Sequence, residues 1–267
     1  MGAVGSPLAT VADMSEPRVV RLDVTDGVAT ITLDSQHNRN ALSRQLLDEL
    51  HRALDGAEAA KPRAIVLTHA GPAFCAGADL KERSAQGSSP ADSGPFVNVL
   101  ERLMDAEAPT IAAVRGAVRA GGIGLMASCD LVVVAASTTF ALTEVRIGVA
   151  PAIISVPILR RVPPSRIAAA MLTGEHFDAA EARSIGLVTH VAEDVDATVT
   201  ELVAGIRAGA PGAVAATKRL LHSVDAMDRG EAFTAMGELS NELFTGAEAA
   251  EGMAAFVEKR PPRWTPA

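Results

Sequence analysis

The chain has 267 residues, two cysteines, and 24 Lys+Arg against 32 Asp+Glu for a net charge of −8; 48% of residues are hydrophobic and 21% charged. A chain of this length and composition buries enough surface to fold without a disulfide or a metal, which excludes disordered, collagen-like and disulfide-scaffold proteins. The acidic balance argues against nucleic acid as a partner. The absence of any apolar run of roughly 18 residues argues against a membrane span.

Residues 1–17 are small, polar and Pro-punctuated and read as a disordered tail. Met1-Gly2 with Ser6 fits the short myristoylation pattern, which chance also supplies in a chain rich in Ala and Gly. With no signal stretch and two isolated cysteines, the expected location is the cytoplasm. Val19–Val24 and Val28–Leu33 alternate apolar and polar residues around the turn dipeptide Asp26-Gly27, predicting a β-hairpin. Ser43 caps a helix that runs to Ala59, and Ala64–Thr68 reads as a buried strand. Residues 70–78 read as a loop, with Asp79 capping a following helix. Residues 84–95 are Ser/Gly/Pro-rich and expected to be mobile. A helix over Phe96–Met104, a strand at Thr110–Val114 and a helix near 122–128 follow. Leu131–Ala135 is a buried strand and Phe140–Leu142 a short one. From Ile153 onward helices dominate, over 194–208, 212–222 and 228–257, with one strand at Leu187–Val191. No fixed-period repeat is present. The layout predicts an α/β core over 18–200 and a helical region over 201–267 suited to packing against a neighbour.

Three segments carry candidate chemistry: Ala73–Leu80 at a strand-to-helix turn, Arg119-Ala120-Gly121-Gly122-Ile123-Gly124 at another, and Thr143–Gly148 followed by Pro151. Small residues let a backbone approach a ligand, and helix N-termini offer free N–H groups. Two such turns facing each other can aim two donors at one oxygen, with a carboxylate beside them to move a proton. From spacing alone, tight turns and a surface Glu144 explain the same residues. Gly122-x-Gly124-x-x-Ala127 with Glu144 downstream also fits a dinucleotide fingerprint, although four strand candidates precede it where the fingerprint belongs to a first βαβ unit. No G-x-S-x-G elbow, P-loop, CxxC or metal-spaced His pair occurs, so no metal site is expected. Cys75 reads as a small packing residue.

Phe74-Cys75-Ala76-Gly77-Ala78-Asp79-Leu80, Gly121-Gly122 with Cys129-Asp130, and Phe140 with Glu144 and Gly148 together resemble the crotonase (enoyl-CoA hydratase/isomerase) family. Leu172-Thr173-Gly174, Gly186-Leu187-Val188 and Phe256-x-Glu258-Lys259-Arg260-Pro261 extend the resemblance over about residues 19–263. It implies an α/β spiral of ββα units whose C-terminal helices build a homotrimer or homohexamer. It implies a coenzyme A thioester as substrate and no permanently bound cofactor. By position, the N–H groups of Ala78 and Gly121 would form an oxyanion hole. Ala76, Ala78, Asp79, Leu80, Lys81, Gly121, Gly122 and Gly124 would line the CoA site. The groups near Lys81 and at Lys259, Arg260 and Arg263 would meet the CoA phosphates.

Hydratases of the family carry two glutamates. The second matches Glu144, whereas the first matches Gly124, which is no acid or base. The resemblance implies an enoyl-CoA hydratase working through one glutamate, akin to methylglutaconyl-CoA hydratases of branched acyl-CoA catabolism. Its alternatives are a Δ3,Δ2-enoyl-CoA isomerase and a non-catalytic acyl-CoA binder. Ala152-Ile153-Ile154-Ser155 departs from the family's Gly-rich loop, implying a reshaped acyl pocket. Arg119 would attract an acidic acyl group or point away on the surface. Glu101, Asp105 and Glu107 are candidates to replace the missing acid only if the segment before them folds over the site.

Overall fold

The computed structural model describes residues 17–85 and 92–265. The myristoylation pattern, nearly all of the expected tail and most of the segment expected to be mobile lie outside the described residues. Strands β1 (Val20–Thr25) and β2 (Val28–Leu33) form the predicted antiparallel hairpin. Asp26 (φ 52°) and Gly27 (φ 74°) both take left-handed backbone. That pairing twists a two-residue turn in the same sense as its strands. Helix α1 (Arg44–Ala59) starts where the Ser43 side chain accepts the Leu46 N–H at 3.2 Å, and it buries Leu46, Leu50, Ala53, Leu54 and Ala57.

Three strand–strand–helix turns follow. The first holds β3 (Ala64–His69), β4 (Ala73–Cys75), α2 (Leu80–Ala85) and α3 (Gly94–Asp105); the second holds β5 (Thr110–Val114), β6 (Ala117–Arg119) and α4 (Gly121–Ala127). The third holds β7 (Leu131–Ala135), β8 (Thr139–Ala141) and α5 (Ala152–Arg161). After α6 (Pro164–Thr173), β9 (His176–Asp178), α7 (Ala179–Ser184) and β10 (His190–Ala192) complete the sheets. The first strand of every turn enters a sheet of order β1-β2-β3-β5-β7-β10, and the second enters a sheet of order β4-β6-β8-β9. From β2 to β10 the larger sheet is parallel, as are β4, β6 and β8. The chain thus winds as a spiral. Its turns begin at residues 64, 110 and 131, an uneven spacing that leaves no sequence period.

The core lies between the two sheets and under α1, α3, α4 and α5, with Phe74, Leu103, Ile123 and Phe140 among its fully buried side chains. Helix α8 (Val195–Ala208) covers the other face of the larger sheet, laying Val195, Val199 and Val203 on Ala64, Val66, Ile111, Ala113 and Val133. The expected division at 200/201 therefore falls inside a core helix. Helix α9 (Pro211–Ser223) also docks, sending Lys218 inward. Lys218 Nζ lies 2.9 Å from Asp130 Oδ2 and donates to the carbonyls of Leu103 and Ala108 at 3.1 and 3.3 Å. Asp130 also accepts from Thr110 N–H at 2.7 Å and lies 3.0 Å from His222 Nε2.

Five expectations are corrected. β4 lies inside the expected loop at 70–78, and β6 and β9 were not expected. The strand expected at Leu187–Val191 forms at His190–Ala192, because Leu187 and Val188 are folded back onto Ala182 O at the end of α7, past the left-handed Gly186. The helix expected over 228–257 is two, α10 (Arg229–Thr245) and α11 (Ala247–Glu258), separated at the extended Gly246 (ψ 162°). α10 buries none of its residues, and Phe233, Phe244 and Phe256 are 76%, 70% and 85% exposed.

Candidate active site

β4, β6 and β8 are parallel neighbours, so their carboxyl ends emerge side by side. Residues 76–78 leave β4, Ala120-Gly121 leave β6, and Glu144 follows β8. Ligands of open α/β sheets gather at such strand ends.

The first two turns touch. A Cβ on Gly77 would lie 2.7 Å from the Ala120 Cβ and 3.5 Å from the Gly121 nitrogen. Gly77 holds φ at +88°, so both its space and its backbone require glycine. Ala120 sits at φ 47°, ψ −121°, a strained conformation for a residue with a Cβ, and its N–H is tied to Ala141 O at 3.0 Å. That bond locks the end of β6 to the end of β8. The neighbouring N–H groups behave differently. Ala76 N–H donates to Arg39 O at 3.1 Å, and Leu42 N–H to Gly77 O at 2.7 Å. Leu42 bridges Ala78 in parallel register, which turns the Ala78 N–H away from Leu42. No acceptor for the N–H of Ala78 or of Gly121 is found among the described residues. Two backbone donors on touching turns are thus left open.

Glu144 opens a single 3-10 turn over Glu144–Ile147, closed by the left-handed Gly148. The carboxyl is half-buried, and its Oε2 is fully buried without a hydrogen-bond partner among the described residues. Burial pushes this carboxyl above its ordinary range. An acid with an unpartnered oxygen and a raised proton affinity is suited to take and return a proton.

The remaining predicted residues divide. Leu80 and Lys81 are exposed on α2. Asp79 caps α2, accepting the Lys81 and Glu82 N–H groups at 3.1 Å each, while Asn38 donates to its other oxygen at 3.0 Å. The Glu82 N–H, first among these, holds the Asp79 carboxyl below its usual range. Gly122 and Gly124, expected to line the CoA site, are instead buried against protein. A Cβ on Gly122 would meet Cys75 Cβ at 2.7 Å, and one on Gly124 would meet Ile154 Cβ at 2.6 Å. These glycines let α4 sit on β4 and α5, so no pyrophosphate reaches them and the dinucleotide fingerprint fails. Cys75 is the packing residue expected, its thiol pushed up to about 12 by burial.

Arg119 is neither an acyl-attracting group nor a free surface residue. Its guanidinium donates to the Val118 and Thr139 carbonyls at 2.9 and 2.5 Å and to Thr139 Oγ1 at 2.9 Å, pinning the start of β8 away from Glu144. Glu101, Asp105 and Glu107 line a cleft of about 840 Å³ beside Arg63 and Pro109, at the amino ends of β3 and β5, so none stands in for the missing acid. Arg260 and Arg263 are engaged by Glu251 at 2.6 and 3.5 Å, leaving Lys81 and Lys259 as the less committed cations of the predicted groups.

Sequence reasoning missed Asn40, whose buried amide donates to Ala70 O and Ala73 O at 3.1 and 2.9 Å and sets the start of β4. A left-handed Asn (φ 56°) is a turn residue the sequence offers but does not place. It also missed Leu42 and Phe96, which flank Gly121 through contacts remote in sequence.

Comparison with known proteins is consistent along the chain. Residues 23–267 match the enoyl-CoA hydratase/isomerase family. The enoyl-CoA hydratase EchA19 of Mycobacterium tuberculosis is 34% identical over 88% of this chain and 91% of its own. The mitochondrial methylglutaconyl-CoA hydratase of Mus musculus is 30% identical over 89% of this chain and 79% of its own. A solved enoyl-CoA hydratase from Mycobacterium smegmatis superposes with a TM-score of 0.85 at 32% identity, covering 93% of this chain and 99% of that one. With its spiral of ββα turns and its C-terminal helices, the chain belongs to the enoyl-CoA hydratase/isomerase (crotonase) family.

Proposed function

We propose that the protein is an enoyl-CoA hydratase-type lyase that adds water to a 2-enoyl-CoA thioester, or removes it, through one glutamate. The observation that carries this reading is the buried, unpartnered Oε2 of Glu144 at the end of β8, beside two turns with open N–H donors. The thioester oxygen would accept from Ala78 N–H and Gly121 N–H, which stabilise the enolate-like charge that develops there. Preorganised donors of this kind are worth roughly 10²–10³ in rate each. Glu144 takes a proton from water as its oxygen bonds to C3, and returns a proton to C2. Ala76, Leu80 and Lys81 would border the CoA moiety, with Lys81 and Lys259 available to its phosphates. No resident cofactor is required, because coenzyme A arrives with the substrate.

One observation favours a second reading, a Δ3,Δ2-enoyl-CoA isomerase: Gly124 leaves no second acid, and Ile154 fills the space beside it. We also assign the exposed aromatic residues of α10 and α11 to contacts between copies in a trimer or hexamer. The free, buried Cys75 and Cys129 suit a cytoplasmic setting.

The test is turnover of crotonyl-CoA, 3-methylglutaconyl-CoA and a 3-enoyl-CoA, with products read by mass. Gain of one water on a 2-enoyl ester supports the hydratase. A product of unchanged mass and shifted double bond supports the isomerase. Binding without turnover of any ester overturns both and leaves an acyl-CoA binder.

A further inference from the structure

Between β2 and α1 the chain loops over residues 34–43, and the side chain at the centre of that loop is committed entirely to backbone elsewhere. Asn40 is 0% exposed. Its Oδ1 accepts the Ser35 N–H at 2.6 Å, and its Nδ2 donates to Ala70 O at 3.1 Å and to Ala73 O at 2.9 Å. Its own N–H donates to Ser35 O at 2.8 Å. Arg39 (φ 58°) and Asn40 (φ 56°) both take left-handed backbone, a conformation that asparagine tolerates better than most residues with a Cβ. Ala70 directly follows β3 and Ala73 opens β4, so one buried amide holds the loop against both sides of the β3–β4 turn.

The residues beside Asn40 reach the turn that carries the open donor. Arg39 O accepts the Ala76 N–H at 3.1 Å, and Leu42 N–H donates to Gly77 O at 2.7 Å. Asn38 Nδ2 donates to Asp79 Oδ2 at 3.0 Å. Leu42 bridges Ala78, and its Cδ1 lies 2.7 Å from the place a Cβ on Gly121 would take. Residues 38–42 thus run as a rail along 76–79 and press on the second turn as well. β4 is three residues long and has little ladder of its own to steady the turn beyond it. A donor of this kind acts only when it is aimed at the place where the oxygen carries its developing charge.

We propose that Asn40 is a positioning residue, which aims the open Ala78 N–H at the substrate's thioester oxygen by pinning residues 38–42 to the β3–β4 turn. The inference rests on the reading above of Ala78 and Gly121 as donors to that oxygen. Asn40 acts through Arg39 and Leu42, and its amide has no free hydrogen-bonding position for substrate. Its removal therefore weakens polarisation of the thioester carbonyl and leaves the proton carrier Glu144 in place. The oxygen holds more charge in the transition state than in the bound ester, so kcat falls while KM changes little.

The experiment compares wild type, Asn40→Gly, Asn40→Ser and Lys218→Met. Each is saturated with butyryl-CoA labelled isotopically at the thioester carbonyl, and the carbonyl stretch is read by infrared difference spectroscopy. Melting temperature, kcat, KM and the pH profile of kcat are measured in parallel, with the enoyl ester that wild type turns over. Wild type is expected to lower the stretch below that of the free ester. Asn40→Gly keeps the left-handed backbone and removes the amide. It is expected to lose much of that lowering and to reduce kcat by about 10-fold or more, toward the roughly 10²–10³-fold cost of one missing donor, with the pH profile unmoved. Asn40→Ser keeps one donor and should move stretch and kcat less, in the same direction. It also serves as the milder change if Asn40→Gly does not fold. Lys218→Met loses stability far from the turn and should leave the stretch at its wild-type value. An Asn40 variant that folds and binds butyryl-CoA with the stretch and kcat of wild type overturns the proposal. So does a stretch moved as far by Lys218→Met as by Asn40→Gly, which makes the effect general loosening. Failure of both Asn40 variants to fold, even with butyryl-CoA present, assigns Asn40 to stability and overturns it too. A wild type that binds butyryl-CoA with the stretch of the free ester overturns the two donors themselves and the role of Asn40 with them, whereas a lowered stretch shared equally by wild type and Asn40→Gly overturns Asn40 alone.

Discussion

The amino ends of strands in the larger sheet and the carboxyl ends of strands in the smaller sheet are finished in opposite ways. At the amino ends, charge is consumed: Asp130 is held by Lys218, Thr110 and His222, and Arg63 donates to the carbonyls of Ile206, Arg207, Gly209 and Trp264. At the carboxyl ends, polar groups are left over: Glu144 Oε2 and the N–H groups of Ala78 and Gly121. Folding alone favours the first arrangement, because an unpaired buried polar group costs free energy. The second persists where a ligand supplies the missing partners. The contrast separates the cleft beside Arg63, at the amino ends, from the candidate site at the carboxyl ends.

This contrast can be broken at either end. The largest expected effect is at Glu144: Glu144→Gln should lower turnover by about 10²–10⁴-fold while calorimetry shows butyryl-CoA binding retained. At the opposite end, Lys218→Met should strand the buried Asp130 and cost about 3–5 kcal/mol in a denaturant titration, with kcat per folded molecule close to wild type. Ala78→Pro removes one open N–H and should cost roughly 10²–10³ in rate, whereas Ala78→Gly, which keeps the donor, should retain most activity. The smallest effect concerns stability. Burial raises the folded-state proton affinity of Glu144, so its charged form is what folding disfavours. That penalty is absent below the ordinary carboxylate range and grows as pH rises through the raised folded value. Glu144→Gln should therefore melt above wild type at neutral pH, with the gap closing as pH falls to acid values.

The sequence showed the larger sheet better than the smaller one. β2, β3, β5 and β7 are five or six residues long, enough for an alternating or continuous apolar run to be read. β4, β6, β8 and β9 have three residues each, too few to display a period, and three of these four were missed. They are the strands that carry the candidate site. The turns themselves were legible as small-residue segments, and family resemblance picked out Glu144, Ala78 and Gly121. The meaning of Gly122 and Gly124 was not legible, because their neighbours, Cys75 and Ile154, come from other turns of the spiral. Arg119 was misjudged for the same reason: the Thr139 oxygens that hold it belong to the next turn.

The spiral also has a kinetic consequence. In the larger sheet, β1 and β2 are joined by a two-residue turn, but every later neighbour is separated by a complete winding of chain. Such long-range pairings must close large loops before they are rewarded, and topologies dominated by them fold slowly. The 20–33 hairpin with α1 folded over it is the natural place for structure to begin, and each winding then adds one strand to each of two growing edges. Until the last winding is in place those edges stay unpaired, so a newly made chain is most exposed to aggregation while its final turns are still being laid down.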